Sequence, residues 1–500
     1  YNELSTGENS LILIETGWDL VIHELFNRNI KEIVIDSHLL ESHQVDLKQK
    51  LQCTISYQDE VNFNGEFRDL YNHLNDKRYV HAFCRLLNYL QQTQKRSLDH
   101  LQPAQIVELK DYLALDMYSK RNLEIIETNI SQETKGSLLW VLDRTVTAMG
   151  ARTLKKWLER PLLNKQGILN RLEIVQGFYD HFLERDEIRS NLRSVYDIER
   201  LAGRIAFGNV NARDLIQLRK SLEKIPLIKA TLSDLNHPNI DDLNGQLTYP
   251  EELVQLLEKS IMDDPPATIK EGSIIKDGYD QVLDEYRHAS KHGKEWIAEL
   301  EQKEKEATNI KSLKIGFNRV FGYYIEITNA NKHLIPEGRY ERKQTLRNAE
   351  RYITPELKEK ELLILEAEEK SVEREYDLFI EIREQVKAFI PELQTIARVL
   401  SEIDVLQSFA LVSEENGYTR PKIVDNYVKI KKGRHPVVEK VMENGTFVPN
   451  DISLTEDANI LLITGPNMSG KSTYMRQVAL SIIMAQIGCF VPAEKAELMI

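Results

Sequence analysis

Five hundred residues, 42% hydrophobic and 29% charged, exceed what one core can organise and imply roughly three to five domains. A formal net charge of −13 excludes a protein that coats nucleic acid with its whole surface, so any DNA contact must use a local basic patch. The three cysteines, Cys53, Cys84 and Cys489, have neither metal nor disulfide spacing, and no apolar run approaches the ~20 residues of a membrane span, which fits a cytoplasmic protein without a membrane partner.

In chain order, Leu11 to Ile14 is a short apolar run, Trp18 to Asn27 reads as a helix, and Glu32 to Ile35 and Thr54 to Tyr57 read as strands. Together they begin an α/β unit. His23, His38 and His43 are scattered on polar ground without ligand spacing. From about Leu70 the pattern turns helical, with Pro103, Pro161 and Pro226 as punctuation. Asp143, Arg144, Arg152, Asp197, Glu199 and Arg200 could suggest a charged active site, but such residues on helices usually form caps and helix-to-helix ion pairs, which is the expectation here.

Past a loop at Asp263 to Gly272, Val282, Tyr286, Ala289, Gly293, Trp296 and Leu300 recur at intervals of 4, 3, 4, 3 and 4. Val372, Tyr376, Phe379, Arg383, Val386 and Ile390 repeat the same intervals. Both are heptad-like stripes, broken by Gly293 and Arg383, and predict two arms packed on each other. Each arm spans ~45 Å if ~30 residues long, so the arms would carry whatever lies between them far from the body. Between them, Leu313 to Thr328 alternates as a hairpin around a turn at Asn318 to Gly322, with one of Tyr323 and Tyr324 facing the tip's core. Arg339, Arg342, Lys343, Arg347 and Arg351 then stand against only Glu341 and Glu350, with Gln344, Thr345 and Asn348 interleaved. That composition fits sequence-independent grip on a phosphate backbone.

RHPVVE at Arg434 to Glu439 reads as strand-like, and His435, preceding a proline, as structural and not as a general base. Taken alone, Phe447 reads as core. Ile460 to Ile463 is a continuous apolar run that predicts a buried strand. Gly465, Pro466, Asn467, Met468, Ser469, Gly470, Lys471 and Ser472 then fit G-x-x-x-x-G-K-[ST], in which glycines let the backbone turn its N–H groups toward phosphates at a helix N-terminus. Lys471 would reach the β- and γ-phosphates of ATP or ADP, Ser472 would ligate Mg²⁺, and Thr473 adds an oxygen; Lys471 and Ser472 are the candidate catalytic pair. Met475, Val478, Ile482 and Ala485 predict the buried stripe of the following helix.

GPNMSGKSTYMRQVALSIIMAQIG closely resembles the ATPase segment of the MutS family of DNA mismatch-recognition proteins. SKRNLEIIET (119–128), SLLWVLDRTVTAMGARTLKKWLERPL (137–162) and YDIERLAGRIAFG (196–208) resemble its lever, and GYYIEIT and RKQTLRNAERYITPELKEKE its clamp. The resemblance implies a multidomain α/β plus all-α protein: an α/β connector at 1–100, a helical core or lever at 101–278, a first arm helix at 279–312, a DNA clamp tip at 313–356, a second arm returning to the lever at 357–416, and the start of an ABC-type P-loop ATPase domain at 417–500. It further implies Phe447 stacking on adenine, a homodimer gripping mismatch-containing double-stranded DNA, and a downstream partner of the MutL type.

The chain opens on Tyr1 and stops soon after the phosphate loop, so it is expected to be a piece of a longer protein. The family's N-terminal Phe-x-Glu wedge, its acidic Mg²⁺ motif and its subunit-crossing signature have no counterpart here. ATP binding without efficient turnover is therefore the expectation. Two other readings stay open: a MutS-like relative in recombination or ribosome rescue, and a DNA-binding ATPase of the structural-maintenance kind, which would need longer heptads.

Overall fold

The computed structural model describes every residue except 16, 29, 52, 64, 95–96, 319–321 and 443–446. The chain divides into two units, one of Tyr1–Val210, Gln217–Glu251 and Val386–Ile500, the other of Asn211–Ile216 and Glu252–Gln385. No helix of the described residues is long and apolar enough to cross a membrane.

In the first unit, Trp18–Asn27 is a helix and Glu32–Ile35 pairs in parallel with Thr54–Tyr57, as the sequence predicts. Of the apolar run Leu11 to Ile14 only Leu11 lies in a strand, which runs Glu8–Leu11. Asn9 sets that register, because its buried amide donates to the carbonyls of Gly7 and Gln102 while Ser10 and Leu11 pair with Gln105 and Ile106. The helix Lys77–Gln94 packs Phe83, Leu87 and Leu90 into this region's core.

The helical body gathers on Ile390–Asn416, a helix flanked by Ala148–Glu159, Lys165–Asp180 and Ile198–Ala206. Its Asp404 is fully buried and accepts from the amides of Val146 and Thr147 and from the Thr147 hydroxyl. The charged residues singled out in the sequence are structural: Arg152 bridges Asp197 and Glu199, Asp197 caps Ile198–Ala206, Arg200 lies 3.8 Å from Asp197, Asp143 holds Thr145, and Arg144 meets Glu415.

A four-stranded sheet closes this unit, with Lys422–Val424, Lys495–Met499, Val428–Gly433 and Asn450–Leu454 in spatial order. The strand expected at Ile460 to Ile463 is not formed. None of the four residues belongs to a strand, and Ile460 and Leu462 are 84% and 90% exposed. His435 lies not in a strand but at the N-cap of the helix Pro436–Val441, where Pro436 occupies the first turn, as suits a residue lacking an N–H.

The second unit holds both arms and the tip. The first arm is Gln281–Thr308, 28 residues and about 42 Å. The second is Pro355–Lys387, 33 residues, and the chain breaks before Ile390–Asn416, whose Pro391 sits in its first turn. The arms pack antiparallel, with ion pairs Asp280–Arg374, Arg287–Glu375 and Lys294–Glu368 in succession. The predicted stripes hold in part: Leu300, Phe379, Val386 and Ile390 are buried, whereas Val282 and Tyr376 are 45% and 41% exposed and Leu283, Ser290, Ile297 and Glu304, outside the stripes, are buried as well. Polar residues carry the seam where heptad reading looks for apolar ones. Ser290 donates to Glu368, and buried Glu375 accepts from Arg287 and the amide of Ile274. Gly293 lies where a Cβ would come 2.2 Å from Ile364 Cγ1, so the break in the stripe is the point at which the arms come closest.

The tip is a four-stranded antiparallel sheet, Lys314–Asn318, Gly322–Thr328, Ala349–Ile353 and Glu341–Thr345 in spatial order. The expected turn at Asn318 to Gly322 lies largely outside the described residues. Ile325, Ile327 and Tyr352 pack with Ile297, Leu300 and Leu357 of the arms. Gly322 has φ +71 and abuts Glu361, whose carboxylate accepts from the amide of Tyr323.

Candidate nucleotide site and nucleic-acid interface

Gly465 to Gly470 forms a loop built on three positive backbone φ angles. Gly465 has φ +155 and Gly470 +87, and Met468 takes a left-handed φ of +65. A Cβ on Gly465 would lie 3.1 Å from Ser469 Oγ. The helix Lys471–Gln486 follows, with Gly470 at its N-cap, no side chain capping it and no acidic residue in its first turn. Its leading N–H groups therefore lack an intrahelical acceptor, and the positive end of the helix dipole faces the loop unopposed. Lys471 folds its ammonium back onto the carbonyls of Gly465 and Pro466 at 2.7 and 2.6 Å, which holds the cation over the loop. Exposed loop, open amides and poised cation together suit a phosphate anion.

Phe447, half-buried, lines the same cavity of about 720 Å³ as Ser469, Gly470, Lys471 and Thr473. An aromatic face and a phosphate cradle in one cleft suit a nucleotide. Asn450 and Tyr474 also line it, and Tyr474 donates to the carbonyl of Asp451 at 2.9 Å, tying the helix to the neighbouring strand. The sequence reading passed over both, although Asn450 follows Phe447 in the FVPNDI segment. For Mg²⁺ the exposed Ser472 hydroxyl is the matching donor; among the described residues no group of three His, Cys, Asp or Glu could hold a metal ion.

The buried face of the phosphate-loop helix is Gln477, Leu480, Ser481, Ile483, Met484, Ala485 and Gln486; of the predicted stripe Ala485 is buried, Val478 and Ile482 are half-buried and Met475 is 55% exposed. The sheet and helical body, which cover that face, admit the short polar and amide side chains that a hydropathy pattern omits. His435 is structural: its Nδ1 accepts from the Val438 amide, and burial, then the nearby Arg476 guanidinium, push the imidazole down to about 4. A neutral ring is what capping by a lone pair requires.

The basic segment 339–351 is a strand, a tight turn and a second strand. The Leu346 amide donates to the Ala349 carbonyl across the turn, which puts Arg347 and Asn348 at its apex. The structure divides the predicted residues in two. Arg339 makes a bidentate pair with buried Glu304, both contacts at 2.8 Å. Burial pushes the Glu304 carboxyl up, but bonds from Arg339 and Tyr340 outweigh it and hold it below the usual range. Arg351 stacks 3.9 Å over Tyr324 and bonds to Glu326 and Gln344. Arg339, Gln344 and Arg351 thus each have a partner within the tip that sequence spacing did not reveal. Arg342, Lys343 and Arg347 form no ion pair among the described residues, and Arg342, Thr345, Arg347 and Asn348 are exposed. Tyr323 packs against the tip's core and Tyr324 lies on the opposite face, as alternation predicts.

Comparison with known proteins adds three family models: MutS domain II matches residues 1–102, MutS domain III residues 119–410 and MutS domain V residues 461–500. The chain is similar to the DNA mismatch repair protein MutS of Oceanobacillus iheyensis, with 66% identity over 498 residues, 100% of this chain and 57% of the relative. It is 58% identical to that of Geobacillus sp. (strain WCH70), over 100% of this chain and 58% of the relative. With that of Bacillus subtilis (strain 168) the identity is 54%, over 99% of this chain and 58% of the relative. The chain thus spans less than two thirds of the length of these relatives.

Proposed function

Because the chain belongs to the MutS family, we propose that it is the connector, lever, clamp and leading ATPase segment of a cytoplasmic protein that recognises mismatches in double-stranded DNA and starts their repair. The tip at 313–356 grips the duplex through Arg342, Lys343, Thr345, Arg347 and Asn348, with Arg339, Gln344 and Arg351 holding these residues in place. The loop Gly465–Thr473 binds ATP or ADP: its amides and Lys471 take the phosphates, Phe447 takes the adenine, and Ser472 supplies one oxygen to Mg²⁺. The intact protein is an ATPase, a homodimer and a partner for a MutL-type protein, and Mg²⁺ bound with the nucleotide would offset the phosphate charge that develops in hydrolysis.

One observation carries the nucleotide half of this reading. The uncapped helix end at Gly470 and the Lys471 ammonium meet in the cavity that Phe447 lines. Calorimetric titration with ATP and Mg²⁺ tests it: Lys471→Ala should abolish the binding shown by the unaltered chain. Equal affinity in the two proteins would remove the phosphate-loop assignment.

A further inference from the structure

The far end of the phosphate-loop helix is held by a residue that neither the sequence motifs nor the nucleotide cleft accounts for. Arg171, on the helix Lys165–Asp180, places its guanidinium carbon 3.3 Å from the centre of the Trp157 ring. Its Nη1 donates to the carbonyl of Ile487, the residue that closes the phosphate-loop helix, at 3.4 Å. Among the described residues it makes no ion pair, and burial pushes the guanidinium down to about 10, so at neutral pH it is a cation partly withdrawn from water. What faces it is the aromatic ring and the negative end of the helix dipole, with the Glu402 carboxylate also acting on it electrostatically. Gly488 follows with φ +88, and a Cβ there would come 2.3 Å from the Cβ of Arg171. The backbone beyond the helix is therefore pressed directly onto the arginine stem.

The two ends of this helix are joined by a rigid rod of 16 residues, about 24 Å long. At the loop end an incoming phosphate competes with the Gly465 and Pro466 carbonyls for Lys471 and attracts the leading amides. A rod so pulled moves at its other end as well, and there it meets Arg171 and, under it, Trp157. We propose that Arg171 is a positioning residue that couples the phosphate loop to the helical body, passing displacement of the helix Lys471–Gln486 to Trp157 and the helix Ala148–Glu159 that carries it. This rests on the nucleotide reading above and adds the route by which occupancy is felt outside the cleft.

The test uses the chain's own indoles. Trp18→Phe, Trp140→Phe and Trp296→Phe leave Trp157 as the sole tryptophan. That protein is titrated with ATP and Mg²⁺ while calorimetry measures binding independently and Trp157 emission is recorded. The expected result is a Trp157 emission change whose midpoint coincides with the calorimetric one. Arg171→Met should leave the calorimetric affinity unchanged and abolish the emission change, and Arg171→Lys, which keeps the charge but not the flat stack, should restore part of it. Nucleotide binding with a silent Trp157, or a full response in Arg171→Met, overturns the coupling but leaves the phosphate loop standing. No calorimetric binding at all overturns both. Should Arg171→Met fail to fold, the parent protein's emission still decides.

Discussion

His435 shows how one side chain ties this chain's stability to pH. Its imidazole sits near 4 in the fold against an ordinary 6.5, so between these values the unfolded chain binds the proton that the folded one refuses. The stability it contributes is fully present above 6.5 and is lost as pH falls toward 4, reaching about 3 kcal/mol across the whole interval. Urea unfolding at a series of pH values should show this slope, and His435→Asn, which keeps an acceptor for the Val438 amide but does not titrate, should flatten it. An unchanged slope would mean that other groups govern the acid limb. The residue's structural part was legible from the proline that follows it; its place at a helix N-cap was not, because only the packed Arg476 and the Val438 amide define it.

The arms show what periodicity reveals of an element and what it leaves out. Two arms packed on each other follow from the 3.5-residue recurrence, and Leu300 and Phe379 of the stripes are buried, yet the burial also takes in residues outside the stripes. Ser290, Glu304 and Glu375 are buried because specific partners neutralise them, and no hydropathy scale scores a partner. Gly293 gives the sharpest test. Substitution by alanine gains about 1 kcal/mol of helix propensity, but the new Cβ would overlap Ile364 Cγ1, and overpacking of this kind costs typically 1–3 kcal/mol. The clash should win, so Gly293→Ala lowers the thermal midpoint, and combining it with Ile364→Ala should cost less than the sum of the two single changes. Strict additivity would show that the helices separate freely at this point. At the tip the same limit applies: five cations were visible in the sequence, but that Arg339 and Arg351 are spent on Glu304 and Glu326 depends on residues far along the chain.

For the molecule as a whole, a −13 chain that holds DNA must do so against its own field. Binding to duplex should therefore be weak and steep in salt, with the log–log slope changing by about 0.9 for each phosphate neutralised. Binding is compared on a perfect duplex and on the same duplex carrying one mismatch. Reversing Arg342 and Arg347 to glutamate should weaken binding to both duplexes equally and make the slope shallower by about two phosphates' worth. Indifference to these reversals would place the grip elsewhere. The family assignment itself was legible from contiguous words such as GPNMSGKSTYMRQ.

The unpaired run Ile460 to Ile463 has a consequence for the chain as a material. Its four β-prone residues belong to no strand, and Ile460 and Leu462 are almost wholly exposed. Such a segment is a template for pairing with its own copies, the seed geometry of cross-β stacking. Concentrated solutions should turn turbid with time at a rate set by this segment, and Leu462→Lys should slow it sharply without altering the helical signal. The shelf life of the chain would then be governed by four residues that stand immediately before its most chemically specific loop.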